Sequence, residues 1–151
     1  PRMAPVCRTG RGRRSMSVVY FMRRADGVGP VKVGFSSSPK KRLQTCACWS
    51  PYPLSIIALI EVDKKTGRYI ERQFHERYLG WRLHSEWHEP CSLILSDVAS
   101  ISAGMFDLTG LPTPSAGVHA LRGNIGEDVA ARRRAIREAA WIAAHPEGSA
   151  A

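Results

Sequence analysis

Between residues 18 and 42 the chain reads VVYFMRRADGVGPVKVGFSSSPKKR, and three of its side chains, Tyr20, Lys32 and Arg42, are a phenol, an amine and a guanidinium. Cations of these two kinds attract anions, and a phenol can give or accept a hydrogen bond beside them. A second set invites metal chemistry: His84 and His88 lie four apart, Cys91 follows, and Cys46 and Cys48 add two thiols. Zinc takes such donors, but C-x-C is tighter than the usual knuckle and Pro90 interrupts the histidine run before Cys91.

The charge favours the first set. The chain has 22 Lys and Arg against 13 Asp and Glu, a formal +9. Residues 1–15 carry five arginines and no acid, residues 16–91 twelve basic and seven acidic groups, and residues 92–151 five and six. A polyanionic partner is therefore expected at the N-terminal two thirds; the plainer alternative is a solvated basic surface. The longest apolar run, LSIIALIEV at 54–62, is of strand length and far short of a bilayer crossing. With four cysteines in no small-domain disulfide spacing, a soluble, cytoplasmic protein with reduced thiols is expected.

Elements that would carry these groups can be read along the chain. SVVYFMR (17–23) is β-branched and aromatic, ADGVGP supplies turn residues, and VKVGF (31–35) is a second strand, expected as its hairpin partner. Ser38 and Pro39 mark the start of a helix over 39–47, and LSIIALIEV makes a third strand. After DKKTG, Tyr69, Ile70, Phe74, Tyr78 and Leu79 keep helical spacing until Gly80, and Cys91–Ile101 suits a short helix. Together these predict a small α/β domain over 16–102, a three-stranded mixed or antiparallel sheet flanked by helices. Residues 1–15, before Met16, read as a flexible basic extension and 103–123 as a linker. Asn124 and Glu127 stand in capping-box relation ahead of a helix over 124–145, with Val129, Ile136, Ala140 and Trp141 as a docking stripe for self-association or a partner, and Arg132–Arg134 on a charged face.

The ordered series VVY, VKVG, Arg42 eight positions beyond Gly34, PYP, Glu71 in IERQFHERY, and SEWHEP resembles the GIY-YIG nuclease superfamily over about residues 17–90. It is most similar to the small phage and bacterial branch often described as a DNA-binding domain. The resemblance implies a metal-dependent DNA endonuclease. Tyr20 would activate or position water, Arg42 would contact the scissile phosphate, and Glu71 would hold one Mg2+ or Mn2+ ion, with Gly34 matching the second-motif glycine. Lys32 replaces the second-motif tyrosine and Val18 the first-motif glycine; lysine can contact phosphate or help deprotonate a nucleophile. His75, one helical turn after Glu71, shares its face and can join the metal site or accept a proton.

Lys32, Lys40, Lys41 and Arg42 are the expected DNA contacts. Each residue also has a packing alternative: Tyr20 a strand aromatic, the cations a solvated surface, Glu71 an ion pair with Arg68, Arg72 or Arg77, His75 a packing histidine. Trp49, Tyr52, Trp81 and Trp87 read as covers of the core edge, an exposed one being able to stack on an unpaired base. The rival functions are a catalytically silent DNA-binding module and a phage-derived structural or assembly protein.

Overall fold

The computed structural model describes residues 16–115 and 127–144. Five antiparallel strands form one sheet in the order β3-β1-β2-β5-β4. They are β1 (Met16–Arg24), β2 (Val31–Ser36), β3 (Leu54–Asp63), β4 (Arg82–His84) and β5 (Trp87–His88). Helices α1 (Pro39–Trp49), α2 (Lys64–Arg77), α3 (Ser92–Ser102) and α4 (Glu127–Ala144) complete the α/β architecture. The expected three-stranded sheet is the β3-β1-β2 part of this larger one. Strands β4 and β5, of three and two residues, are too short to show alternation in the sequence, and they become strands only by pairing beyond β2.

β1 is central, which explains its near-continuous apolar run: Val19, Tyr20, Phe21 and Met22 are all buried, so both of its faces are covered. The odd positions Val19, Phe21, Val31 and Val33 join Phe74 of α2, Tyr78 just past its end, and Ile94 and Ile101 of α3 in the main core. Phe21 meets Phe74 edge-on with centroids 5.1 Å apart, and Phe74 stacks on Tyr78 at 5.9 Å. Burying such side chains contributes roughly 1.5–3 kcal/mol each. A bulge between Phe21 and Met22 shifts the β1–β3 register by one residue.

Helix α2 starts four residues before the expected 68. Asp63 supplies the cap, its carboxylate accepting a hydrogen bond from Lys65 N at 2.9 Å, so KKTG is the first turn rather than a loop. Gly67 is tolerated there because a Cβ would collide with the Phe35 ring. The helix ends at Arg77, ahead of Gly80, which is buried in a 3-10 turn over Leu79–Trp81. At α1, Pro39 takes the first turn as expected, but the Ser38 side chain makes no capping bond.

Residues 103–115, read from sequence as the first part of a linker, lie against the core. Leu111 is buried in the main cluster, with Phe106 and Leu108 packed on it. Ser115 Oγ donates to Glu76 at 3.0 Å. The absence of periodicity hid this, since single apolar residues spaced by Gly and Pro pack without forming an element.

Helix α4 docks on the 3-10 turn: Arg137 donates to Gly80 O at 2.6 Å and pairs with Glu89 at 2.7 Å, and Ile136 meets Gly80. Trp141, expected in the docking stripe with Ile136, is 57% exposed. The extension 1–15, the remaining linker, Asn124 and the side chains of Val129, Arg132, Arg133 and Ala140 lie outside the described residues. Among the described residues no helix is long and apolar enough to cross a membrane.

Candidate active site

Tyr20 and Gly34 stand directly opposite each other on β1 and β2, with Lys32 two residues away on the same face of β2. The phenol lies across Gly34 so closely that a Cβ there would collide with its oxygen and Cζ. Gly34 is thus the residue that lets the ring lie flat against the strand. Among the described residues the Tyr20 hydroxyl has no hydrogen-bond partner, although the residue is only 2% exposed. Burial pushes its pKa up, the charges of Glu86, Cys46 and Glu71 add to that, and Arg42 opposes. Tyr20 is therefore a neutral phenol at ordinary pH, and its electrostatic neighbours come from α1, α2 and the β4–β5 hairpin.

That hairpin brings in the residue whose role the sequence left unread. Glu86 accepts a hydrogen bond from the Lys32 ammonium, and Lys32 also lies 5.6 Å from the centre of the Trp87 ring. Burial alone would raise the Glu86 carboxyl. The bond from Lys32 and the charges of Lys32, His75 and Arg42 outweigh it and hold the group below the usual carboxylate range. Lys32, expected as a free contact to DNA, is instead engaged with this carboxylate. The SEWHEP motif contained the signal, but no spacing rule could join Glu86 to a lysine 54 residues earlier.

Helix α1 supplies the unattached cations. Lys40, Lys41 and Arg42 are exposed on its first turns, and among the described residues their side chains hold no hydrogen bond or ion pair. The charge of Arg42 nevertheless reaches both Tyr20 and Glu86, opposing the rise at the phenol and helping to lower the carboxyl. The helix buries no residue and has no acid in its first turn.

Glu71 and His75 arrive from α2, four residues apart and both buried. The alternative ion pair of Glu71 with Arg68, Arg72 or Arg77 is not found among the described residues. Among the described residues the only charge-pairing contact of its carboxylate is His75 Nε2 at 3.8 Å, and Arg77 goes to Asp97 instead. His75 stacks on His88 with centroids 5.2 Å apart and Nδ1 3.4 Å from the His88 Nε2. Burial, then the charges of His75 and Arg82, bring the His88 pKa down to about 3, so His88 is a neutral core residue.

A buried carboxylate with no cationic side chain to balance it suits a hard divalent cation. Among the described residues no group of three or more His, Cys, Asp or Glu is placed to hold a metal ion. Glu71 by itself offers one carboxylate to a hard cation such as Mg2+ or Mn2+, whose remaining ligands would be waters. For zinc, His84, His88, Cys46, Cys48 and Cys91 would have to gather, and among the described residues no three of them do. No protein-family model, curated protein or solved structure matches the chain.

Proposed function

We propose that the chain is a metal-dependent DNA endonuclease that hydrolyses phosphodiester bonds through a GIY-YIG-like site. The observation that carries this reading is the buried Tyr20 phenol seated flat against Gly34, in the field of Glu86, Arg42 and Glu71 from three separate parts of the chain. Phosphodiester hydrolysis needs a placed nucleophile and positive charge on the phosphate and leaving oxygen. Tyr20, kept neutral by burial, would orient the attacking water by hydrogen bonding rather than act as a phenolate base. Arg42, whose guanidinium has no partner among the described residues, would clamp the nonbridging oxygens of the phosphate. Glu71 would hold the Mg2+ or Mn2+ ion, whose charge supports the phosphate and leaving oxygen. His75 would position Glu71 from one turn away. Lys32 and Glu86 neutralise each other beside Tyr20, and Lys40 and Lys41 would track the DNA backbone.

The test is incubation with supercoiled plasmid and branched DNA, with Mg2+ or Mn2+ and with EDTA. Cleavage that requires the metal is expected, together with binding that weakens steeply with salt, by a slope of roughly −0.9 per phosphate contact. Tight binding without cleavage of any substrate would make the chain a silent DNA-binding module. Affinity that does not change between low and moderate salt would remove nucleic acid altogether.

A further inference from the structure

Beside the site, a groove of about 370 Å³ is lined by Lys32, Cys46, Trp49, Ser50, Pro51 and Trp87. It runs between the C-terminal end of α1 and β5, so Trp49 and Trp87 reach it from two different elements. Trp49 is 87% exposed, an unusual position for the largest apolar side chain in a fold with a core available to it. The helix that carries Trp49 buries no residue, so packing within the domain does not explain why it is there. Its other end presents Lys40, Lys41 and Arg42, and the wall facing Trp49 holds the Lys32 ammonium beside Trp87. A volume near the lower end of the ~300–1,000 Å³ of ligand clefts suits one flat ring system rather than a duplex.

We infer that this groove is a stacking subsite for one unpaired DNA base, placed next to the phosphate site. The inference rests on the nuclease reading and adds a substrate class to it: DNA with an unpaired nucleotide beside the bound phosphate. Aromatic platforms interleaved with cations are how proteins hold single strands without reading sequence, because every base has a π face. Charge complementarity selects the occupant, since the cations of α1 would attract the phosphates on either side of the stacked base.

The experiment compares wild type, Trp49→Ala and Trp49→Phe without divalent metal, by fluorescence anisotropy on three labelled DNAs. These are a blunt duplex, the same duplex with a short single-stranded branch, and that branch carrying abasic nucleotides. Trp49→Ala should weaken binding to the branched DNA by about 5- to 150-fold, the factor corresponding to ~1–3 kcal/mol of base stacking. Trp49→Phe should restore most of it. Replacing the branch bases by abasic sites should remove the difference between wild type and Trp49→Ala. Equal loss on the blunt duplex and the branch, or no loss on the branch, overturns the subsite while leaving the nuclease reading standing. Failure of the wild type to bind any of the three DNAs overturns both. Circular dichroism of the variants confirms that an exposed position has been changed without unfolding.

Discussion

Two buried tyrosine–carboxylate pairs sit in this small domain and are treated in opposite ways. In one, Tyr78 donates to Asp97 at 2.7 Å, and Arg77 closes on the same carboxylate through two bonds of 2.7 and 3.1 Å. In the other, Tyr20 lies in the field of Glu86 and, last, of Glu71, yet among the described residues the Tyr20 hydroxyl has no hydrogen-bond partner and the only charge-pairing contact of Glu71 is His75, at 3.8 Å. Asp97 and Glu71 are equally buried, each 6% exposed. Burial therefore does not separate them; completeness of pairing does. A buried polar group costs stability unless it is bonded, so the Asp97 network ties α2 to α3, while the Tyr20–Glu71 region keeps donors and acceptors open for something outside the protein.

The largest expected difference between the two regions is in activity. Glu71→Ala should lower cleavage by on the order of 10²–10³ or more, as loss of a preorganised electrostatic element does, while leaving the melting temperature equal or slightly higher. DNA affinity should not fall, because a carboxylate facing phosphates repels them. A Glu71→Ala protein that cuts with unchanged rate and Mg2+ dependence would remove Glu71 from the site. Asp97→Ala is the counterpart: it strands Arg77 and the Tyr78 hydroxyl, and unfolding by urea should show a loss on the order of 3 kcal/mol. Arg77 reaches solvent, which keeps the figure at the low end of buried pairs.

The tyrosines themselves sharpen the contrast. Tyr78→Phe should cost about 1.5–3 kcal/mol of stability, the worth of a hydrogen bond to a charged group. Tyr20→Phe should change stability by no more than ~0.5 kcal/mol while slowing cleavage, because the hydroxyl it loses bonds to nothing among the described residues. Equal stability losses in the two variants would show that the Tyr20 hydroxyl is held as Tyr78's is.

The remaining effect is that of pH on stability, and it belongs to the Tyr20–Glu71 side. His88 stays neutral in the fold, its pKa brought from 6.5 to about 3, so below pH 6.5 the unfolded chain binds a proton that the folded chain refuses. Stability should therefore fall as pH drops from about 6.5 towards 3, by about 1.4 kcal/mol at pH 5.5 relative to its value well above pH 6.5, and level off below. Glu86, depressed in the fold, adds a loss of the same sign as pH falls through the carboxylate range. His88→Phe should flatten the upper part of this profile in thermal melts; an unchanged profile would mean that His88 is not the group held neutral.

Much of this arrangement was legible in the residues. The β1–β2 hairpin, the Pro39 helix, the strand over Leu54–Asp63 and the helices around Phe74 and Ile94 follow from periodicity, turn residues and caps, because each of those signals lies within a short window. The types of residue at the site were legible too: Tyr20, Arg42 and Glu71 stand on the elements expected of them. Not legible were the two added strands, the packing of 103–115, the engagement of Lys32 by Glu86 and the stacking of His75 on His88.

The sequence by itself determined which local segments bend, extend or coil, and which charges they carry, since hydrophobic spacing and backbone preference act between near neighbours. Only the tertiary structure decided which of two similar carboxylates would be paired. Packing of α2 against β1 and α3 brought Arg77 to Asp97, twenty residues on, while among the described residues Glu71 makes a charge-pairing contact only with His75. Pairing across such separations depends on where whole elements come to rest, and no local window contains that information.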